Sequence, residues 1–272
     1  MTRSRRNFAL LASATLLAAC SDSTGPDGNG GPSGTESFQW SGQIAPGGTV
    51  EIKGINGDIR AVRAAGSTVR VSALKKGTTD APSSVRIEVV EHAGGVTVCA
   101  VYPDVPGRPQ NECLPGRFAG QLSSRNNDVS VTFDVQVPAR SKFSGATVAG
   151  AVEADALDGD VFAFTVGGNI DLSTSGQASA STTSGNITAS IGMTDPDHDL
   201  LFSSLHGHVT VWIPAGTNAR VSGSTANGLI STDFPLTVTR NGSFRHMSGV
   251  LGDGGHNLML TTSRGNVVLR SK

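Results

Sequence analysis

The 272-residue chain is poor in charge, in lysine and in long apolar runs, and each shortage excludes a class of function. Asp, Glu, Lys and Arg make up 16% of it, and lysine occurs only five times, without a basic cluster. Nucleic-acid binding needs a basic face that neutralises phosphates, so the composition argues against it. The apolar run Phe8 to Leu17 spans about ten residues, far below the roughly 20 that a membrane-spanning helix requires.

Motifs of several enzyme classes are also missing. The sequence contains no Gly-x-Ser-x-Gly nucleophile elbow, no His-Glu-x-x-His zinc motif and no Gly-Lys-Ser/Thr phosphate loop. Ser is plentiful, but nothing in the sequence places a His and an acid beside any one of these hydroxyls. We therefore predict no catalytic residues, no cofactor, no metal and no enzyme activity.

The first residues carry the pattern of an export signal. Arg3, Arg5 and Arg6 precede the short apolar run, and Leu17-Ala18-Ala19-Cys20 follows it. Small residues before a cysteine are typical of a lipobox, in which a peptidase cuts before the cysteine and the thiol is alkylated with lipid. We predict that residues 1–19 are a signal peptide and that Cys20 is lipidated. The alternative is ordinary secretory cleavage, with Cys20 incidental.

Further features bear on the export route and the destination. Ser4-Arg5-Arg6-Asn7-Phe8 resembles the twin-arginine signal for folded proteins, and general secretion is the alternative route. Ser21 is not the Asp that can retain lipoproteins at the inner membrane, so we expect anchoring to the outer membrane, facing the periplasm or the cell surface. Cleavage removes three Arg and no acid, which changes the formal net charge from −1 to −4.

The mature chain divides into a tether and one domain. Residues 20–37 are rich in Gly, Ser, Asp and Pro and cannot bury enough surface to offset their ordering entropy, which predicts a flexible linker. Residues 38–272 form a single predicted β domain, with longer strands and hairpins over 38–143 and a repeat region over 144–272.

Two cysteines remain once Cys20 is lipidated. Cys99 and Cys113 flank a Pro- and Gly-rich loop, and an even pair in an exported chain predicts a disulfide rather than two free thiols. Closing a loop of about 15 residues stabilises a fold by roughly 3 kcal/mol on the chain-entropy estimate. Neither cysteine belongs to a Cys-x-x-Cys motif, so redox catalysis is not indicated.

Strand signals dominate the domain, with almost no helical pattern. Every second residue is apolar from Val129 to Val137, which is typical of a half-buried strand that stops at Pro138. Val85–Val89 and Val96–Val98 show the same alternation, with a turn at Gly94-Gly95 between them.

The second half repeats a unit of a small polar residue, Gly, any residue and a β-branched residue followed by alternation. Gly150, Gly159 and Gly168 are spaced nine residues apart, as are Gly176 and Gly185. The clearest copies are Ile55-Asn-Gly57-Asp-Ile59, Val148-Ala-Gly150-Ala-Val152, Leu157-Asp-Gly159-Asp-Val161, Val166-Gly-Gly168-Asn-Ile170, Thr183-Ser-Gly185-Asn-Ile187, Leu205-His-Gly207-His-Val209 and Ser263-Arg-Gly265-Asn-Val267.

Each unit is a Gly turn that leads into a short strand. One such strand cannot bury its apolar face alone, but strands stacked in register can, with Val, Ile and Leu in continuous interior ladders. The pattern predicts an all-β fold, a β-solenoid or β-helix-like stack of short Gly-punctuated strands. A sandwich of short hairpins is the alternative, and parallel rather than antiparallel ladders would distinguish the two.

One series of segments resembles a known bacterial family. The series is Val209-Thr-Val-Trp-Ile-Pro-Ala-Gly216, Ala226-Asn-Gly-Leu-Ile-Ser-Thr-Asp-Phe-Pro235, Gly249-Val-Leu-Gly-Asp-Gly-Gly255 and Leu260-Thr-Thr-Ser-Arg-Gly-Asn-Val-Val-Leu269. It is similar to the domain-of-unknown-function family labelled "putative adhesin". This resemblance implies a cell-surface β-solenoid and no catalytic residues. The chain departs from the family's acidic residue after the repeat Gly, having Asn169, Asn186, His208 and Asn266 instead, which argues against shared calcium binding.

Three weaker patterns are candidates for a calcium, a zinc or a sugar-binding site. Leu157-Asp158-Gly159-Asp160 and Gly252-Asp253-Gly254-Gly255 are isolated, so turns explain them better than calcium loops do. Imidazole and carboxylate groups suit zinc. The candidate zinc ligands are His206 and His208 with Asp195, Asp197, His198 and Asp199. Ordinary exposed polar residues explain this pattern better than a zinc site does. Trp40, Trp212 and Tyr102 are candidates for a sugar-stacking platform, with Trp212 out of phase with its buried neighbours.

Taken together, these patterns predict an exported, lipid-anchored envelope protein with a non-catalytic interaction or structural role. Its predicted partners are the membrane, through the anchor, and a glycan or envelope protein. The alternative is a carbohydrate-active enzyme on a β-helix scaffold, which a stripe of clustered carboxylates would favour.

Overall fold

The computed structural model describes residues 33–117, 120 and 122–272, and within them the chain is all-β. The predicted signal peptide, the lipidated Cys20 and the tether up to residue 32 lie outside the described residues. Within the described ranges, no helix is long and apolar enough to cross a membrane.

The strands of the first half are β1 (Gly34–Gln43), β2 (Thr49–Lys53), β3 (Ile59–Arg63), β4 (Thr68–Gly77), β5 (Arg86–His92), β6 (Gly95–Val101), β7 (Ser130–Val137) and β8 (Lys142–Ala146). A short 3₁₀ helix at Pro82–Ser84 lies between β4 and β5. Those of the repeat region are β9 (Val152–Leu157), β10 (Val161–Gly167), β11 (Ile170–Thr174), β12 (Ala178–Ser184), β13 (Ile187–Ser190), β14 (Leu200–His206) and β15 (Val209–Ile213). The last are β16 (Ala219–Asn227), β17 (Ile230–Thr232), β18 (Thr237–Asn241), β19 (Phe244–Leu251), β20 (Asn257–Arg264) and β21 (Val267–Ser271).

These strands form two large, mostly parallel sheets. The 10-stranded sheet has the order β1-β4-β7-β3-β9-β11-β13-β15-β21-β17, and the 11-stranded sheet has the order β18-β19-β16-β20-β14-β12-β10-β8-β2-β6-β5. Antiparallel pairs occur only toward the ends of the sheets, among the described strands: β1 and β7 with β4, β5 with β6, and β19 with β16 and β18. A hairpin sandwich would instead require antiparallel ladders through the repeat region.

From β8 to β17, successive strands alternate between the two sheets. We call one strand of the 11-stranded sheet and the strand that follows it in the 10-stranded sheet a coil. Ile170 pairs in parallel with Val152 of the previous coil and with Ile187 of the next. A nine-residue repeat is therefore half a coil, so the units that stack on each other are two repeats apart, as Gly150 and Gly168 are.

The coils are not stacked in chain order. The spatial order is β6/β7, β2/β3, β8/β9, β10/β11, β12/β13, β14/β15, β20/β21 and β16/β17. The last coil in the sequence, β20/β21, thus lies between two earlier ones and pairs on both sides in both sheets. The C-terminal residues complete the interior of the stack rather than its end.

The N-terminal half contains strands of up to ten residues and the β5–β6 hairpin. The turn at Gly94-Gly95 joins β5 to β6, and Val129–Val137 gives β7. Strand β1 begins at Gly34, four residues before Phe38. Residues 34–37 have no large apolar side chain, yet they pair with β4 through backbone groups, which a composition argument does not detect.

The core consists of aliphatic ladders that run from coil to coil. One ladder in the 10-stranded sheet contains Ile59, Val152, Ile170, Ile187, Val209 and Val267, each at most 1% exposed. Burying one such side chain fully contributes about 1.5–3 kcal/mol. The interior ladders predicted from the repeats are therefore present.

A ladder of glycines follows the corner at which each coil enters the 10-stranded sheet. A Cβ on Gly168 would overlap the carbonyl oxygen of Gly150, and the same relation links Gly185 to Gly168 and Gly207 to Gly185. Buried hydroxyls line this corner from inside: Thr165 Oγ1 donates to the Gly150 oxygen at 2.9 Å, and Ser204 Oγ donates to the Gly185 oxygen at 2.9 Å. The repeat thus needs Gly for close approach and Ser or Thr for hydrogen bonding.

The residues that follow these glycines form a third ladder. Asn169 Oδ1 accepts from the backbone N of Asn186 at 2.9 Å, and Asn186 Oδ1 accepts from the N of His208 at 2.8 Å. His208 Nδ1 then accepts from the N of Asn266 at 2.9 Å. Each of these three side chains therefore accepts a hydrogen bond from the backbone of the adjacent coil.

The sole tyrosine gives a prediction that a single spectroscopic signal can check. Tyr102 is 1% exposed and its hydroxyl donates to the Val129 carbonyl at 2.7 Å. Burial raises the pKa of Tyr102 to about 12, so the folded chain keeps a proton that the unfolded chain loses near pH 10. We expect stability to be unaffected by this group below pH 10 and to fall between pH 10 and 12, with no such fall in Tyr102→Phe. Tyrosinate absorbance near 295 nm measures this directly, and a midpoint near pH 10 in the folded chain would contradict a buried phenol.

Candidate functional site

A groove of about 500 Å³ lies on the outer face of the 11-stranded sheet, across β6, β2, β8, β10 and β12. We call it the polar groove. Its lining residues are Thr49, Glu51, His92, Gly94, Gly116, Arg117, Lys142, Phe143, Ser144, Asp160, Val161, Phe162, Gln177, Ser179, His198 and Asp199.

Strand alternation and register bring the floor of the groove together. In β2, Val50 and Ile52 are fully buried in the core, so Thr49, Glu51 and Lys53 point to the outer face. Glu51 is in register with Thr97 of β6 on one side and with Ser144 of β8 on the other. The same row continues from Ser144 to Phe162 of β10 and Ser179 of β12.

A buried ion pair lies at the inner end of this row. Glu51 and Lys53 are 4% and 7% exposed, and Lys53 Nζ lies 3.7 Å from Glu51 Oε2. The Lys53 ammonium also donates to the carbonyls of Leu114 and Gly116 at 2.6 Å each. Burial lowers the pKa of Lys53, and the nearby Glu51 carboxylate opposes this shift. Removing either partner would leave a buried charge uncompensated, which typically costs about 3–5 kcal/mol.

A hydrogen-bond chain connects the buried carboxylate to His92 at the groove's surface. Thr97 Oγ1 donates to Glu51 Oε2 at 2.8 Å and lies 3.3 Å from His92 Nε2. The backbone N of Gly94 donates to His92 Nδ1 at 3.1 Å, which assigns the remaining ring proton to Nε2. The backbone N of Gly116 completes the arrangement by donating to Glu51 Oε2 at 2.9 Å.

One wall of the groove is the loop closed by the disulfide. Cys99 and Cys113 are joined, with their Cα atoms 5.7 Å apart, as the cysteine count predicts. Cys99 is in register with Lys53, so the bridge fixes the following residues, Leu114 to Arg117, above the Glu51–Lys53 pair. The disulfide is consistent with export.

The other groove residues are held by local pairs. The Arg117 guanidinium lies over the Phe162 ring, 4.5 Å from its centroid. Lys142 Nζ lies 2.8 Å from Asp160 Oδ2. Hydrogen bonds from Gln177 and His198 lower the pKa of Asp197 at the far rim, and those from Asn257 lower the pKa of Asp199.

The structure separates the zinc candidates. Asp195, Asp197, His198 and Asp199 precede β14, whereas His206 ends that strand and His208 follows it. A seven-residue strand is about 20 Å long, so the two sets lie at opposite ends of β14. No group of three or more His, Cys, Asp or Glu among the described residues could hold a metal ion.

The aromatic candidates do not form a platform either. Tyr102 lies in the core, and Trp40 packs partly against it from β1. Trp212 is half-buried on the outer face of β15 between buried Val211 and Ile213, as its phase predicts. Seven strand spacings separate β1 from β15, about 34 Å, so one sugar cannot contact both tryptophans.

No motif in the sequence marks the groove. The alternation Val50-Glu51-Ile52-Lys53 places two charges on one strand face, which is the one signal that could have pointed to it. Charged residues on an outer face are ordinarily solvated, and here the disulfide loop covers them.

Comparisons with known proteins add the following. No family model matches the sequence, and no curated protein matches it. Solved structures with similarity over 87% of this chain include a "putative cell adhesion protein" from Clostridium sporogenes, at 8% identity and TM-score 0.41 over 100% of that chain. "Putative adhesin" structures from Bacteroides fragilis (8% identity, TM-score 0.27, 97% of that chain) and Parabacteroides merdae (10%, 0.24, 96%) are also similar. With sequence identities of 8–10% and TM-scores of 0.24–0.41, the resemblance to the family stays a prediction.

Proposed function

We propose that the chain is an exported, lipid-anchored envelope protein whose β-solenoid domain binds a glycan or an envelope protein through the polar groove. The observation that carries this proposal is a groove with a buried, fully hydrogen-bonded polar floor under a loop held by a disulfide. A row of polar residues this deeply buried costs stability, and a ligand site is a reason to retain it. Parallel ladders from coil to coil support the solenoid and give the groove a rigid floor.

We favour binding over catalysis because the groove's carboxylates are engaged. Glycoside hydrolysis needs a pair of carboxyl groups, one of them with a raised pKa. Glu51 is paired with Lys53, Asp160 with Lys142, and hydrogen bonds from Asn257 lower the pKa of Asp199, which is opposite to the need of a general acid. A carbohydrate-active enzyme on the same scaffold remains the second candidate.

The groove part of the proposal is tested by filling it. Ser179→Trp places an indole in the groove, and Ser222→Trp adds the same bulk to the outer face of the same sheet in β16, outside the groove. We expect binding of the full chain, purified in detergent, to arrays of glycans and envelope proteins to be lost in Ser179→Trp and kept in Ser222→Trp. Equal binding by both variants, or turnover of a bound glycan, would refute a non-catalytic binding groove.

The anchor part is tested separately at Cys20. Labelled fatty acid should be incorporated into the full chain and not into Cys20→Ala, and the labelled chain should fractionate with the outer membrane. Incorporation that is unaffected by Cys20→Ala would exclude lipidation at this residue.

A further inference from the structure

The Arg117 guanidinium stacks on an aromatic ring at the rim of the polar groove. It lies over the Phe162 ring at 4.5 Å, and no carboxylate among the described residues forms an ion pair with it. A guanidinium that stacks on an aromatic face keeps its N–H donors free at the edge of its plane. Those donors match two carboxylate oxygens at once, a geometry that also restricts orientation. Arg117 is exposed on the groove's rim, so a ligand can reach it.

The two lysines around the groove are already paired with carboxylates. Lys53 is paired with Glu51, and Lys142 is paired with Asp160. His92 takes part in the hydrogen-bond chain to Thr97 and Gly94. Arg117 is therefore the cation of the groove without an opposite charge among the described residues, and one ligand carboxylate would balance it.

The loop that carries Arg117 is tied to the buried Glu51 carboxylate. Glu51 Oε2 accepts hydrogen bonds from Thr97 Oγ1 and from the backbone N of Gly116. Gly116 immediately precedes Arg117, so the second of these hydrogen bonds fixes the loop segment that carries the guanidinium. Glu51 and Phe162, which lies under Arg117, are two strand spacings apart, about 10 Å, with Ser144 between them.

We infer that the polar groove binds an acidic glycan, whose carboxylate pairs with Arg117 and whose hydroxyl groups bind the serines of the floor. This inference rests on the proposed function and names its ligand class. A hydroxyl-rich ligand suits the hydroxyl groups of Thr49, Ser144 and Ser179, which lie along the groove.

The test compares a hexamer of galacturonic acid with the same hexamer after its carboxylates are reduced to alcohols. Calorimetric titration of the full chain in detergent should show binding of the acid at least about 10-fold tighter than of the alcohol. Arg117→Gln should remove that preference, and Arg117→Lys should restore only part of it because an ammonium lacks the planar fork. Arg108→Gln removes an equal charge from the same loop outside the groove and should change nothing.

The outcomes separate the two levels of the proposal. Equal affinity for acid and alcohol, lost in Ser179→Trp and kept in Arg117→Gln, would overturn the acidic ligand and keep the groove. Tighter binding of hexaglutamate than of the galacturonate hexamer would overturn the glycan. Absence of binding to either hexamer would overturn the inference, and it would overturn the proposed function too if the array showed no groove-dependent ligand. Arg117 is exposed, so unchanged thermal unfolding of Arg117→Gln shows that its effect is on binding.

Discussion

Gly168→Ala is expected to lower the free energy of unfolding by about 3 kcal/mol or more, whereas Gly167→Ala should change it by less than about 1 kcal/mol. The two glycines are neighbours in the sequence and differ in what a Cβ would meet. At Gly168 the methyl group would overlap the carbonyl oxygen of Gly150 in the adjacent coil, and at Gly167 the nearest atom is the Val148 oxygen at 3.8 Å. Backbone cannot move aside without disturbing the hydrogen bonds of both coils.

Thermal or urea unfolding of the full chain measures the difference. A loss of about 3 kcal/mol corresponds to a fall in Tm of roughly 6–12 °C for a domain of this size. Because both substitutions add one methyl group and remove one glycine's flexibility from the unfolded chain, their difference isolates the close approach. Equal stability of the two variants would mean that the coils do not pack this closely at the Gly ladder.

Replacing both cysteines, as Cys99→Ala with Cys113→Ala, should cost about 2–5 kcal/mol, the usual range for a native disulfide. Both cysteines are at most 5% exposed, so the variant loses packing as well as the covalent link. The loop that supplies the Leu114 and Gly116 carbonyls to Lys53 would no longer be fixed. The Glu51–Lys53 pair would then lose much of its cover.

The second measurement on this variant is ligand binding by the polar groove. We expect ligand binding to fall together with stability, because Arg117 and the backbone N of Gly116 lie on the released loop. Chemical reduction of the unmodified chain is the matched comparison, since it opens the bridge and keeps both sulfur atoms. A variant that loses less than about 1 kcal/mol and binds normally would show that the loop is held by its other contacts.

Local patterns were sufficient to predict several of the strands, the interior ladders and the disulfide. Alternation gave β7, the Gly94-Gly95 turn gave the β5–β6 hairpin, and the repeat Gly marked the corner at which each coil turns. These features depend on residues close together in the chain, where periodicity and turn chemistry act directly.

The order of the coils could not be predicted in the same way. The strands β14, β16 and β20 have similar patterns of aliphatic, Ser and Thr residues, so any one of them could pair with the free edge of another. That choice is made by tertiary packing and leaves no local signature.

The groove was out of reach for a related reason. Its floor comes from β2, β6, β8, β10 and β12, and its wall comes from a loop that is brought over Lys53 by the bridge from Cys99 to Cys113. Glu51 is 65 residues from Gly116, whose backbone N it binds. Sequence reasoning identified the bridge and missed its consequence for the neighbouring charges.

The account depends most on coils that stack with β20 between β14 and β16. Ser203 of β14 is in register with Thr261 of β20, which is in register with Ser224 of β16. Neighbouring strands bring Cα atoms to about 4.8 Å, within reach of a disulfide, and the next strand lies about 10 Å away, beyond it. In a Cys20→Ala background, oxidation should therefore join the Ser203→Cys, Thr261→Cys pair and fail to join the Ser203→Cys, Ser224→Cys pair. Joining of the second pair instead, as coils in chain order would allow, would contradict the fold on which the groove and its proposed ligand rest.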